Sequence, residues 1–364
     1  MSAEIPGHLF HFMRGSRAIA PLLIRLSELE SLLHPPRSID RPVFITGIAR
    51  AGTTITLELV GRHSDVATHR YSDFVLPYLP VWWNWLFPRL PGEKLDEPVE
   101  RLHGDGIMVT HRSPEAIEEM LWLEFFPALH SAPDSHVMSA ATSNPAFERF
   151  YRNHIGKLLR VRKQSRYVTK NNYLVGRLGY LLGLFPDARV LIIVRDPVNH
   201  IASLMKQHRM FHGFSKTSPR QLTLVNLAGH HEFGPGRLCP HLATSARVAE
   251  IERNWRDGHE VRGWALLWAM VYDHVANQLR DDPTIRRATH VVTHEGLCDD
   301  SRDVIAGILE HTELAQAPFE PVIDEYAKKL HRPSYYEPNY TSAERADIEA
   351  IARPTYERIR RQQG

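Results

Sequence analysis

The sequence predicts an α/β fold of three layers: a central, mostly parallel sheet flanked by helices and carrying a phosphate-type loop. Three observations predict it. An apolar run over 43–47 enters the turn Gly47-Ile48-Ala49-Arg50-Ala51-Gly52, and a helical pattern begins at Thr53. A second buried run, Val190 to Val194, ends in Arg195-Asp196-Pro197, with the proline placed to open a helix. Strand and helix signals alternate along the chain, the order that gives parallel strands joined by crossover helices.

Taken in order, the first element is a helix over about residues 8–33, with Arg14, Arg17 and Arg25 among Leu and Ile. Such a basic amphipathic stretch packs on a domain or lies on a membrane surface, and both readings stay open. Strand 43–47 and helix 53–62 follow, then a segment over 74–92 rich in aromatics and proline. Helices are expected at 114–126 and 145–160; Ser113-Pro114 starts the former, with Glu115, Glu118 and Glu119 favourable in its first turns. Helix 172–184 leads to strand 189–194. The polar stretch 212–245 reads as a loop, and 246–281 as one long helix. Strand 289–293 and helix 301–311 complete a core of about 40–315, and 316–364 is a helical tail. Nothing divides the chain, which reads as a single domain over 1–364.

Composition sets limits. A net charge of +2 over 364 residues lacks the basic field of a nucleic-acid binder. The two cysteines, Cys239 and Cys298, form neither a disulfide framework nor a zinc set and suit a reducing compartment. No run reaches the roughly 18 apolar residues of a membrane span. No h-region with a cleavage site opens the chain, so a cytoplasmic protein is expected. The oligomeric state is not legible.

The loop has Walker A spacing, Gly-x4-Gly, but Thr53 stands where the lysine belongs. That lysine reaches the β- and γ-phosphates of a nucleoside triphosphate, so its replacement argues against ATP or GTP chemistry. What remains is an anion cradle: backbone N–H groups of Ala51, Gly52, Thr53 and Thr54 at a helix N-terminus, two hydroxyls, and Arg50. In the second segment Arg195 stands at the carboxyl end of its strand, where open α/β sheets bind nucleotides, and Ser203 follows eight residues later.

Together the two segments resemble the sulfotransferases that use 3′-phosphoadenosine 5′-phosphosulfate (PAPS). That family carries Gly-x-x-Arg-[Ser/Ala]-Gly-Thr-Thr for the 5′-phosphosulfate, and a strand ending in Arg-Asp-Pro with a following Ser for the 3′-phosphate. The likeness extends to Lys170 in Tyr167-Val168-Thr169-Lys170-Asn171 and to the lead-in Phe185-Pro186-Asp187-Ala188-Arg189. Val291 to Leu297 resembles the family's late strand, with His294 for a Tyr and Gly296 for an Asp. The resemblance covers roughly residues 40–315 and implies a PAPS-dependent sulfotransferase acting on a hydroxyl-bearing small molecule or glycan. It implies Arg50 and Lys170 as the catalytic cations, with no metal.

An acceptor hydroxyl needs a general base. The matching segment is Thr68-His69-Arg70-Tyr71-Ser72-Asp73-Phe74, with Asp73 as first candidate and His69 as second; Tyr71 is close to the position where some relatives carry Glu. The competing role for Asp73 is to cap the turn and orient Arg70. His103, in Arg101-Leu102-His103-Gly104-Asp105-Gly106, is a candidate for acceptor binding, against plain turn chemistry at Asp105-Gly106. Trp82 and Trp85 either stack on the acceptor or form a hydrophobic cluster under a loop. Two other functions compete: a nucleotide-dependent kinase or other transferase with a degenerate Walker A loop, and a non-catalytic binding protein. The first requires a Mg²⁺-binding Asp that no strand end offers clearly, and the second predicts loss of Lys170 or Arg195.

Overall fold

The computed structural model describes residues 19–89, 97–100, 108–131, 135–217, 226, 229–332 and 338–362. Its strands are β1 (Val43–Thr46), β2 (Val66–Ala67), β3 (Val99–Glu100), β4 (Met108–Val109), β5 (Arg166–Lys170), β6 (Arg189–Val194) and β7 (Thr289–Thr293). β3 and β4 form a small antiparallel pair. The other five make one sheet in the order β2-β5-β1-β6-β7, every neighbouring pair parallel.

Side chains along a strand alternate between faces, and both faces here are covered. Phe44, Val190, Ile192 and Val194 point into one core with α5 (Pro145–Arg162), α6 (Leu178–Leu184), α7 (Pro197–Thr217), α9 (Glu260–Asp281) and α14 (Ser342–Arg360). Val43, Ile45, Leu191, Ile193 and Val292 point into a second core with α2 (Thr53–Val60), α12 (Ser301–Thr312) and α13 (Glu320–Lys329). Helix, sheet and helix are the three layers. This double burial is why β6 reads as an unbroken apolar run and why its carboxyl end is the place where a polar side chain can emerge.

The remaining helices are α1 (Ile19–Leu33), α3 (Pro80–Leu86), α4 (Glu118–Phe125), α8 (Ser245–Arg256), α10 (Pro283–Ala288) and α11 (His294–Asp299). The described part of the N-terminal helix, α1, docks on α5. Lys157 of α5 meets Glu30 at 2.8 Å with both side chains fully buried, and its ammonium also donates to Ser27 Oγ at 2.7 Å. No described helix is long and apolar enough to cross a membrane.

Several expected elements differ. The helix over 246–281 is two, α8 and α9, because Gly258 takes a φ of 85° that ends the first. The helix over 172–184 opens as a 3₁₀ turn, Asn172–Gly176, before α6. α7 runs to Thr217, into the stretch read as a loop. The expected helix at 114–126 is shorter, as α4 begins only at Glu118.

Candidate active site

The loop from Gly47 to Gly52 joins β1 to α2, and its shape is set by backbone contacts. Gly47 is required by close approach: a Cβ there would lie 2.4 Å from the carbonyl oxygen of Ile193 on β6. The Ile48 N–H donates to the Tyr272 hydroxyl at 3.3 Å, and that hydroxyl donates to Ile193 O at 2.8 Å. His200 Nδ1 accepts from Trp268 Nε1 at 3.0 Å, so its Nε2–H donates to Ala49 O at 2.8 Å. Burial, with Arg195 close by, pushes the His200 imidazole down to about 3, which keeps it neutral. His200 and Tyr272 were missed as site residues, since nothing local marks a His on α7 and a Tyr on α9 as loop supports.

Arg50 sits at the crest of the loop with a φ of 71°, a left-handed conformation that costs a non-glycine residue on the order of 1 kcal/mol or more. Its Nε donates to Ser203 Oγ at 3.4 Å, and its carbonyl accepts from Arg195 Nη1 at 3.3 Å. The sequence separates these residues by about 145–153 positions, and the fold brings all three together. Ala51 and Thr53 are buried, Thr54 is half-buried, and Gly52 caps α2. His294, standing for the family's Tyr, lies against Gly52. Burial and Arg195 push its imidazole down to about 3.

On the other side of β1, β5 ends at Lys170, level with Ile45. The following Asn171 is anchored by its Nδ2, which donates to Glu119 at 2.7 Å. Arg177 binds the same carboxylate through two 2.8 Å bonds, and His130 Nε2 lies 2.7 Å from it. Burial pushes Glu119 up, but Arg177 and His130 outweigh it and hold the carboxylate well below its ordinary range. Asn172 faces the loop. Its Oδ1 accepts from Thr53 Oγ1 at 3.4 Å and its Nδ2 donates to Glu232 at 2.8 Å.

Asp73 and His69 lie in the turn after β2. Asp73 Oδ2 accepts from the Arg70 N–H at 2.9 Å and from Arg162 Nη2 at 2.5 Å, and Oδ1 accepts from Asn84 at 3.2 Å. The buried Asp73 carboxylate is thus engaged as a cap and as the ion-pair partner of Arg162, the contacts expected of its competing role. His69 is buried and stacked on His154, their Nε2 atoms 3.2 Å apart. Burial pushes His69 down to about 4.

Trp82 packs beside a cluster containing Leu23, Tyr78 and Phe150, and its N–H donates to Glu30 at 2.6 Å. Trp85 is exposed, with Arg89 4.4 Å above its ring. His103 lies outside the described residues. A cavity of about 450 Å³ lies against Asp196 and Asn199, with Arg332, Arg353 and Tyr356 in its wall. In its wall Arg353 pairs with Asp196 and Arg332 with Asp299, and neither Arg50 nor Ser203 lines it.

Comparison with known proteins agrees with this arrangement. The model of the family described as "Sulfotransferase family" matches residues 42–233, more than half of the chain, including both the loop after β1 and the end of β6. A protein of Aquifex aeolicus (strain VF5) described as uncharacterized is 27% identical over 201 residues, 55% of this chain and 21% of that protein, so the chain spans about a fifth of that relative's length. Among solved structures, sulfotransferase STF9 from Mycobacterium avium superposes with a TM-score of 0.55 at 13% identity, covering 91% of this chain and 80% of that one. Sulfotransferase STF1 from Mycobacterium tuberculosis H37Rv gives a TM-score of 0.50 at 16% identity, covering 95% and 84%. At such identities the likeness is one of fold.

Proposed function

The chain belongs to the sulfotransferase family, and on that premise we propose that it acts as a single domain transferring a sulfuryl group from PAPS to a hydroxyl acceptor. One observation carries the reading: Arg195 and Ser203 both come within hydrogen-bond reach of Arg50 beside the loop. Two phosphate-binding devices so close suit a nucleotide with anionic groups on both its 3′ and 5′ positions.

In this reading Arg195 and Ser203 bind the 3′-phosphate by charge-assisted and neutral hydrogen bonds. The backbone of Ala51 and Gly52, with Thr53 and Thr54 at the N-terminus of α2, binds the 5′-phosphosulfate. Arg50 spans the two. Lys170, on the strand adjacent to β1, supplies positive charge as the bond from sulfur to the bridging oxygen breaks. In loose group transfer most catalysis is positioning and charge stabilisation, and a cradle braced by Tyr272 and His200 provides the first. We assign Trp85, the more exposed tryptophan, to the acceptor side. The acceptor is a hydroxyl-bearing small molecule or glycan, and the enzyme works in the cytoplasm without a metal.

Thermal shift separates this reading from a triphosphate enzyme. Adenosine 3′,5′-bisphosphate (PAP) raises the melting temperature, whereas ATP with Mg²⁺ at the same concentration has little effect. Stabilisation by ATP–Mg²⁺ and none by PAP overturns it.

A further inference from the structure

Transfer to a hydroxyl requires a group that takes its proton, and Asp73 is committed to Arg162, Asn84 and the Arg70 N–H. A different group is linked to the loop through Asn172 and Glu232. From Thr53 Oγ1 at the start of α2, contacts run to Asn172 Oδ1 at 3.4 Å, from Asn172 Nδ2 to Glu232 Oε1 at 2.8 Å, and from Glu232 Oε2 to His230 Nδ1 at 3.6 Å. We infer that His230 is the general base of the transfer and that Glu232 is its positioning residue. This rests on the sulfotransferase reading above and assigns its acceptor side.

The segment is held in place independently of the dyad, since the His231 N–H donates to the Tyr173 hydroxyl at 3.0 Å. His230 is therefore placed by its backbone, and Glu232 orients the ring by charge: Nδ1 faces the carboxylate at 3.6 Å, and Nε2 is the atom that accepts the proton. The side chain is about a third exposed, which lets an acceptor reach it. Its charged surroundings come from several elements. Lys170 at the end of β5 and the neighbouring His231 oppose the imidazolium, while Glu232 and Glu115 favour it. Burial pushes His230 down, but Glu232 outweighs it and holds the pKa above the ordinary 6.5. A base with a pKa near the working pH is efficient, because it is both substantially deprotonated and basic enough to accept.

The step balances as follows. The acceptor oxygen attacks sulfur and forms the new S–O bond while its proton passes to His230 Nε2. The bond from sulfur to the bridging oxygen breaks, and its electron pair stays on the 5′-phosphate of PAP. His230 then releases the proton to solvent. Lys170 and the loop stabilise the leaving oxygen, so acid–base work and charge stabilisation fall on different segments of the chain.

Water serves as the probe acceptor: PAPS hydrolysis is followed by PAP release from pH 5 to 9, alongside PAP affinity and melting temperature. The wild-type rate falls on the acid side with an apparent pKa above 6.5. His230→Gln lowers kcat by about 10²-fold or more, the low end for a lost general base, with PAP affinity changed less than twofold. Glu232→Gln moves the acid limb to lower pH, an effect that a merely structural role for Glu232 does not produce. The inference is overturned if His230→Gln hydrolyses PAPS at the wild-type rate, or if Asp73→Asn abolishes hydrolysis at an unchanged melting temperature. Should His230→Gln fail to fold, an acid limb unmoved by Glu232→Gln overturns it instead. A wild-type protein that does not bind PAP at all sinks the donor reading, a separate failure.

Discussion

The two sides of β1 handle their cations in opposite ways. At the phosphate loop, Arg50 contacts a serine hydroxyl and Arg195 a backbone carbonyl. At the turn after β2, Arg162 contacts the Asp73 carboxylate, and all of that pair is buried. These two contacts are with neutral groups and near the upper limit of hydrogen-bond length. The turn contact is charged and short, and its disruption leaves an uncompensated buried charge. The difference teaches that a charged residue is read for function by what it touches: a short, buried carboxylate contact marks a cation kept for the fold.

The largest expected effect breaks the turn. Arg162→Ala strands Asp73 and should lower unfolding free energy by about 3–5 kcal/mol, measured by urea titration, with PAP affinity at the loop unchanged in whatever remains folded. A loss within experimental error would make Asp73 available for chemistry after all. Next in size, Lys170→Ala should cut PAPS turnover by about 10²–10³-fold at nearly constant PAP affinity, the range for removing one donor to a developing negative charge. An equal loss in affinity and turnover would mean that Lys170 binds the ground state as strongly as the transition state.

Acid should loosen both sides. His69, His200 and His294 have pKa values pushed by burial to about 4, 3 and 3, below the 6.5 of an unfolded chain. The unfolded state therefore binds more protons below pH 6.5, and the stability fully present above that pH is lost as pH falls toward 4 and 3. Urea midpoints from pH 7.5 to 4.5 should fall steadily, and a flat profile would contradict the neutral, buried state of these rings. The smallest effect is expected at Trp85→Ala, within about 0.5 kcal/mol of wild-type stability because the side chain is exposed. Unchanged PAP affinity with weakened turnover would place Trp85 on the acceptor side.

The same contrast explains what the sequence disclosed. β6 and β7 fall where their apolar runs put them, and the contacts among Arg50, Arg195 and Ser203 are legible because local spacing marks a glycine-flanked loop and a strand end. Asp73 was ambiguous because its partner Arg162 lies 89 residues away, and no local pattern announces such a pair. His200 and Tyr272 brace the loop from helices whose periodicity reads only as core. His230 lay inside a stretch read as an irregular loop, and its contact with Glu232 acquires meaning only once Asn172 is seen against Thr53. The break at Gly258 was hidden by apolar periodicity on both sides of it.

The most direct measurement compares the affinities of PAP and adenosine 5′-monophosphate by calorimetry, in wild type and in Arg195→Ala. The two ligands differ only in the 3′-phosphate. A charge-assisted contact contributes about 1.5–3 kcal/mol, so the wild type should prefer PAP by about 10- to 100-fold. Arg195→Ala should erase most of that preference while leaving affinity for the monophosphate nearly intact. A wild type that binds both equally, or an Arg195→Ala variant that keeps the full preference, would contradict the convergence of Arg50, Arg195 and Ser203 on a 3′-phosphate.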